Sequence, residues 1–166
     1  MEAIVLIGFM GAGKTTISRE LAKALDYQRV DMDDVLVDRI GPINVYFEEH
    51  GEPSFRVHET NLLKEAVQQA SVIATGGGVI MQKENQEILA DKTVVYLKTD
   101  PDVLVERIRQ DKENIRPNAA NKNDGEIKHL FFSRENFYEK LAKVTVDTSH
   151  RTPEDIVAEI REKVGV

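Results

Sequence analysis

A lysine and a threonine at the end of a glycine-rich stretch are the first sign of chemistry. Residues 8–16 read GFMGAGKTT, which sets Gly8, Gly13, Lys14 and Thr15 at the fixed places of the pattern G-x-x-x-x-G-K-[ST]. The apolar run Ala3-Ile4-Val5-Leu6-Ile7 precedes it, and Ile17, Leu21, Ala24 and Leu25 follow at helical spacing. A glycine turn between a buried strand and a helix aims backbone N–H groups and the positive end of the helix dipole at one point. Gly11, Ala12, Gly13, Lys14, Thr15 and Thr16 are therefore expected to cradle the phosphates of a nucleotide such as ATP. Lys14 would reach the β- and γ-phosphates, and the Thr15 hydroxyl would hold Mg²⁺. A glycine turn that merely joins two elements is the weaker reading, because strand, full motif and helix are all present.

Other residues suggest an acceptor. Val30-Asp31-Met32-Asp33-Asp34 ends a second strand-like run in a carboxylate cluster. Asp31, beside the phosphate loop, is placed to hold Mg²⁺ through water. Asp33 is placed to face a substrate hydroxyl, and one of the three acids, Asp34 foremost, is expected to cap the following helix. Arg56 and Glu59 are three apart on one helical face and can pair. Spacing alone favours a surface ion pair of little consequence; the sharper alternative is that Glu59 orients Arg56 to grip a carboxylate with both prongs. The run Gly76-Gly77-Gly78 is costly to order and reads as a turn whose backbone must approach a ligand closely. Arg109, Arg116 and Arg134 are single-arginine candidates. His50, His58, His129 and His150 lack metal-ligand spacing and are read as surface or structural groups. Two short matches to GTP-switch patterns, N-K-x-D at 121–124 and D-x-x-G at 38–41, are set aside. The first follows polar residues rather than a buried strand, and the second lies in a helical pattern.

The elements that must position these groups are legible as well. Strands are expected at 3–7, 28–31, 72–75, 93–97 and 144–147, separated mostly by segments of helical periodicity. Those segments centre on Leu36, on Tyr46, on Phe55 to Val67, on Leu104 and on Ile160. Thr152-Pro153-Glu154-Asp155 and Thr99-Asp100-Pro101-Asp102 read as helix starts. Alternating strand and helix predicts an α/β fold, a three-layer α/β/α domain on a five-stranded parallel sheet, with ligands beyond the carboxyl ends of the strands. Residues 110–125 are polar and weakly patterned, and with Arg116 inside them they are expected to form a mobile lid. The chain of 166 residues suits one domain, with a substrate-binding helical region at about 32–62. A net charge of −7 argues against nucleic acid or anionic membrane as partner. There is no cysteine, no apolar run of membrane length and no signal-peptide pattern, so a cytoplasmic protein is expected, and a monomer by default.

In their order along the chain, GFMGAGKTT, Asp31-x-Asp33, GEPSFR with Glu59, the triple glycine, Arg116-Pro117, and Arg134 with Tyr138 resemble the shikimate kinase family almost end to end. That family is a small member of the nucleoside-monophosphate-kinase-like group of P-loop proteins. The resemblance implies transfer of the γ-phosphoryl of ATP to the 3-hydroxyl of shikimate, a step toward chorismate and the aromatic amino acids. It implies Mg²⁺ at Thr15 and, through water, at Asp31. It gives Asp33 the ring hydroxyls and the proton of the attacking one. It gives Arg56, Arg134, Gly77 and Gly78 the shikimate site, with the carboxylate on the two arginines. Lys14 and Arg116 would supply charge at the phosphates, and Arg109, Arg151 and Pro153 would surround adenine. The chain departs from the family where Asn118 and Ala119, rather than an apolar residue, follow the lid Arg-Pro. The alternatives are another small-molecule kinase, such as a gluconate kinase, or an ATP-binding module without turnover.

Overall fold

The computed structural model describes residues 2–110 and 122–166. The body of the expected lid, including Arg116, lies outside the described residues. Five parallel strands form one sheet: β1 (Ile4–Ile7), β2 (Gln28–Asp31), β3 (Ser71–Ala74), β4 (Thr93–Lys98) and β5 (Val144–Asp147). Their order is β2-β3-β1-β4-β5. Each lies within a residue of its sequence-derived position. The reason is burial: β1 and β3 are buried throughout, so each shows as a short continuous apolar run.

Helices α1 (Lys14–Leu25) and α8 (Pro153–Val164) pack on each other, with α1 against β1, β2 and β3 and α8 against β5. Helix α7 (Asp124–Leu141) packs on β4 and on α6 (Pro101–Gln110). Three further helices, α2 (Met32–Ile40), α3 (Ile43–His50) and α4 (Glu52–Ala66), pack on one another after β2. Both expected helix starts are present. Thr152 Oγ1 accepts from the Asp155 N–H at 3.2 Å, and Asp100 Oδ1 from the Asp102 N–H at 2.8 Å.

Two elements differ from the sequence reading. A 3₁₀ turn at Val79–Met81 and helix α5 (Lys83–Leu89) fill the β3–β4 connection, where no helix was expected. Helix α5 is anchored by a polar residue beside buried Leu89: Asn85 donates to the Val79 carbonyl and accepts from Thr60. Helix α7 begins at Asp124, ten residues ahead of Arg134, and so takes in the end of the expected lid. Asn123 and Glu126 form a reciprocal capping box there. Its buried stripe is Ile127, Phe131, Arg134 and Tyr138, and the arginine interrupts the hydrophobic period.

The sheet order puts β1 at the centre, with β3 on one side and β4 on the other. The chain changes sides between β3 and β4, so the loops after β1 and β3 leave adjacent strand ends at a topological switch point. Those loops carry the lysine–threonine motif and the triple glycine.

Candidate active site

The loop after β1 folds as a phosphate nest. Gly13 sits at φ +97°, ahead of the first turn of α1, a conformation that side-chain-bearing residues rarely adopt. The Lys14 ammonium curls over the loop, donating to the Gly8 carbonyl at 2.5 Å and the Phe9 carbonyl at 3.0 Å. Two outside anchors fix the nest. Arg107 of α6 donates to the Gly11 carbonyl and, through its other amino group, to the Thr148 carbonyl, each at 3.1 Å. The buried Thr148 hydroxyl donates to the Ala12 carbonyl at 3.1 Å.

Asp31 meets the start of α1. Thr15 Oγ1 donates to Asp31 Oδ2 at 3.0 Å, and Arg29 Nη2 donates to the same oxygen at 3.1 Å. Asp31 Oδ1 accepts from the Asp34 N–H at 3.2 Å. Asp31, not Asp34, is therefore the cap of α2. The expected assignment fails because the helix starts directly at the strand end, leaving Asp34 in its first turn. Burial and the neighbouring Asp31 push the Asp34 carboxyl above its usual range, with Arg29 working the other way. The Thr15 hydroxyl spends its one proton on Asp31, so its lone pairs remain for a cation. Both Asp31 oxygens already accept hydrogen bonds, which suits a carboxylate acting through water. Hard oxygen donors of this kind fit Mg²⁺. Among the described residues no three acidic, histidine or cysteine groups cluster as a metal cage, so phosphate and water must complete the shell.

The acceptor side is built around Arg56. Its Nη1 donates to Glu59 Oε1 at 2.8 Å and its Nη2 to Glu52 Oε1 at 2.9 Å. The Arg56 side chain is 11% exposed and that of Glu59 1%, so this is no surface pair. Burial works against the Arg56 charge, but Glu59 and Glu52 more than offset it and raise its pKa. Burial holds the Glu59 carboxyl above its usual range; Arg56 opposes this and Asp33 adds to it. The triple glycine closes the same space. A Cβ on Gly78 would stand 2.6 Å from Arg56 Nη2, and one on Gly76 would stand 3.0 Å from Glu59 Oε2 and 3.1 Å from Asp33 Oδ1. Arg134 enters from α7, with its guanidinium 5.8 Å from the centre of the Phe9 ring. Its buried Nη1 finds no hydrogen-bond partner among the described residues. Tyr138, one turn further along α7, donates to the Gly77 carbonyl at 2.8 Å.

One cavity of about 730 Å³ joins the two halves. Lys14, Thr15, Asp33, Arg56, Gly77 and Arg134 all line it. The three residues expected beside adenine lie outside the lining of this cavity. Arg109 is exposed and bonds Asp124 and the Lys122 carbonyl. Arg151 bonds the Asp147 carbonyl and Glu159, and Pro153 occupies the first turn of α8. None of these three lines the cavity, whereas Arg107 does.

Comparison with known proteins agrees with this geometry. The family model described as Shikimate kinase matches residues 10–165. The shikimate kinase of Enterococcus faecalis is 48% identical over 166 residues, with 99% of each chain covered. Shikimate kinase from Acinetobacter baumannii in complex with shikimate gives a TM-score of 0.91 at 34% identity, over 99% of this chain and 93% of that one. This chain belongs to the shikimate kinase family. It is accordingly a kinase of the P-loop fold. A gluconokinase from Sinorhizobium meliloti shares the fold alone, at 15% identity and a TM-score of 0.61, over 98% of this chain and 91% of that one.

Of the residues singled out in the sequence, the structure brings Lys14, Thr15, Asp33, Arg56, the glycine turn and Arg134 to one cavity. The sequence reading missed Arg107 and Thr148, which grip the nest, and Arg29, which holds Asp31. Arg107 and Thr148 act on partners far away in the chain, which no local pattern marks; Arg29 and Asp31 stand two apart on one face of β2, a spacing that could have signalled the pair. The sequence reading also left Tyr138 without a role. Its hydroxyl points at a turn 61 residues away in the chain.

Proposed function

We propose that the chain transfers the γ-phosphoryl group of ATP to the 3-hydroxyl of shikimate, giving shikimate 3-phosphate and ADP. The supporting observation is a single cavity with a phosphate nest at one end and, at the other, the guanidinia of Arg56 and Arg134 beside Asp33. A ring acid with several hydroxyls needs cations at its carboxylate end and an acceptor at its hydroxyl end. Arg134, buried with a spare donor, and Arg56, braced by Glu59, form the carboxylate clamp. Gly77 and Gly78 let the ring lie against backbone. Asp33 accepts the proton as the 3-hydroxyl oxygen bonds to the γ-phosphorus and the bond to the β,γ-bridging oxygen breaks.

The backbone of residues 11–16 and Lys14 hold the phosphates in line. Mg²⁺ would be held by Thr15 directly and by Asp31 through water, and it neutralises phosphate charge when bound. Arg116 keeps the role of a lid cation, and Arg109, Arg151 and Pro153 that of adenine neighbours. A monomer is the expected working unit, and the cytoplasm is the expected compartment. Among the described residues no helix is long and apolar enough to cross a membrane.

ADP release should be measured with ATP, Mg²⁺ and shikimate, gluconate or AMP in parallel. Turnover with shikimate alone is expected. Turnover with gluconate or AMP, or with none of the three, would overturn the assignment.

A further inference from the structure

Arg29 has no part in the mechanism above, yet it is built into the base of the phosphate nest. Its Nε donates to the buried Ser18 hydroxyl at 2.9 Å. Its Nη2 is 3.3 Å from the Thr15 carbonyl and 3.1 Å from Asp31 Oδ2. One guanidinium thus ties β2 to α1 and touches both residues assigned to the metal. The Arg29 side chain is 25% exposed and that of Asp31 8%, so solvent screens this pair only in part.

Consider the charges around the Thr15 hydroxyl. Asp31, Asp33 and Asp34 are close together at the start of α2, and Asp33 and Asp34 are exposed. Their summed charge draws divalent cations toward the nest whether or not a nucleotide is present, although among the described residues no three of these groups are arranged to cage one. A metal taken up that way would arrive with a full water shell and would compete with the Mg²⁺ that enters on ATP. A cation fixed 3.1 Å from Asp31 Oδ2 opposes the field that this carboxylate sends toward the Thr15 oxygen. Phosphate charge restores the attraction when the nucleotide binds.

We propose that Arg29 makes metal binding conditional on nucleotide, by neutralising Asp31 while holding it against Thr15. Arg29 is a positioning and charge-balancing residue, and its role rests on the assignment of the metal to Thr15 and Asp31. It predicts that charge, and not the hydrogen bonds alone, sets the affinity of the nucleotide-free protein for the metal.

The test is Mn²⁺ binding, read from loss of the free-ion paramagnetic resonance signal, on the full chain without nucleotide. The wild type is expected to bind weakly. Arg29→Gln should bind at least about tenfold more tightly. Arg29→Lys, which keeps the charge, should resemble the wild type, and adding Asp31→Asn to Arg29→Gln should abolish the gain. An Arg29→Gln protein that binds no more tightly, or an Arg29→Lys protein that binds as tightly as Arg29→Gln, would overturn the proposal. A folding failure of the Gln variant leaves a measurement on the wild type: Mn²⁺ bound as tightly without ADP as with it is equally fatal. A parallel titration with ADP separates the two levels. If Asp31→Asn has no effect on Mn²⁺ affinity in the ADP complex, the metal assignment itself fails. If that substitution weakens binding there and the Arg29 variants behave alike without nucleotide, only the role of Arg29 fails.

Discussion

Arg56 and Arg134 reach one pocket under opposite constraints. Arg56 is braced by two carboxylates that use only part of its five N–H donors, whereas Arg134 keeps a buried donor in reserve. Truncating Arg56 leaves buried Glu59 without its counter-ion as well as removing a prong of the clamp. We expect Arg56→Ala to raise the KM for shikimate by the equivalent of about 2–4 kcal/mol, with the KM for ATP nearly unchanged, in steady-state assays. Asp33→Asn should lower kcat by about 10²–10⁴ while ATP affinity, measured by calorimetry, stays close to wild type.

Glu59 gives a pH dependence of definite sign. Its folded-state pKa lies above 4.5, so between 4.5 and that raised value the folded protein binds more protons than the unfolded one. Stability contributed by this group is therefore present at low pH and is lost as pH rises through that window. Urea midpoints measured from pH 4.5 upward should show the wild type losing ground against Glu59→Gln. A wild-type advantage that grows with pH would contradict this.

At the scale of elements, the substrate pocket depends on α7 holding the turn after β3. Tyr138 lies flat against Tyr96, with ring centroids 5.1 Å apart and planes within 12°, and this stack aims its hydroxyl at the Gly77 carbonyl. Removing that hydroxyl frees the turn without opening a large void. Tyr138→Phe should cost about 1 kcal/mol in chemical denaturation and raise the KM for shikimate severalfold, with the KM for ATP unchanged. An equal change in both constants would mean that the turn also supports the nest.

At the scale of the molecule, the acceptor clamp draws on Arg56, Glu59, the glycine turn and Arg134, which stand around one cavity and lie outside the phosphate loop. Shikimate alone should therefore stabilise the protein. At about one hundred times its Kd, a ligand specific for the folded state adds ~2.7 kcal/mol. For a chain of this size that corresponds to a Tm rise of about 5–10 °C in a thermal melt. A shift seen only when ADP is also present would show that the clamp needs the nucleotide to form.

The sequence by itself determined the strands, the phosphate loop and most of the site, because these depend on local pattern. A buried parallel strand must be a short apolar run, and a phosphate nest needs its glycines, lysine and hydroxyl at fixed spacing. It also held Arg56 and Glu59 on one helical face, but whether they formed a solvated pair or a buried clamp depended on what covered them. Only the tertiary structure decided that, by bringing the glycine turn within touching distance of the guanidinium. Tertiary structure likewise made Asp31 the helix cap and Arg107 the anchor of the nest, and it gave Tyr138 and Arg29 partners on other elements. The cap is a local contact fixed by where β2 ends, but the other roles lie in contacts between segments distant in the chain, and periodicity and spacing describe only neighbours along it.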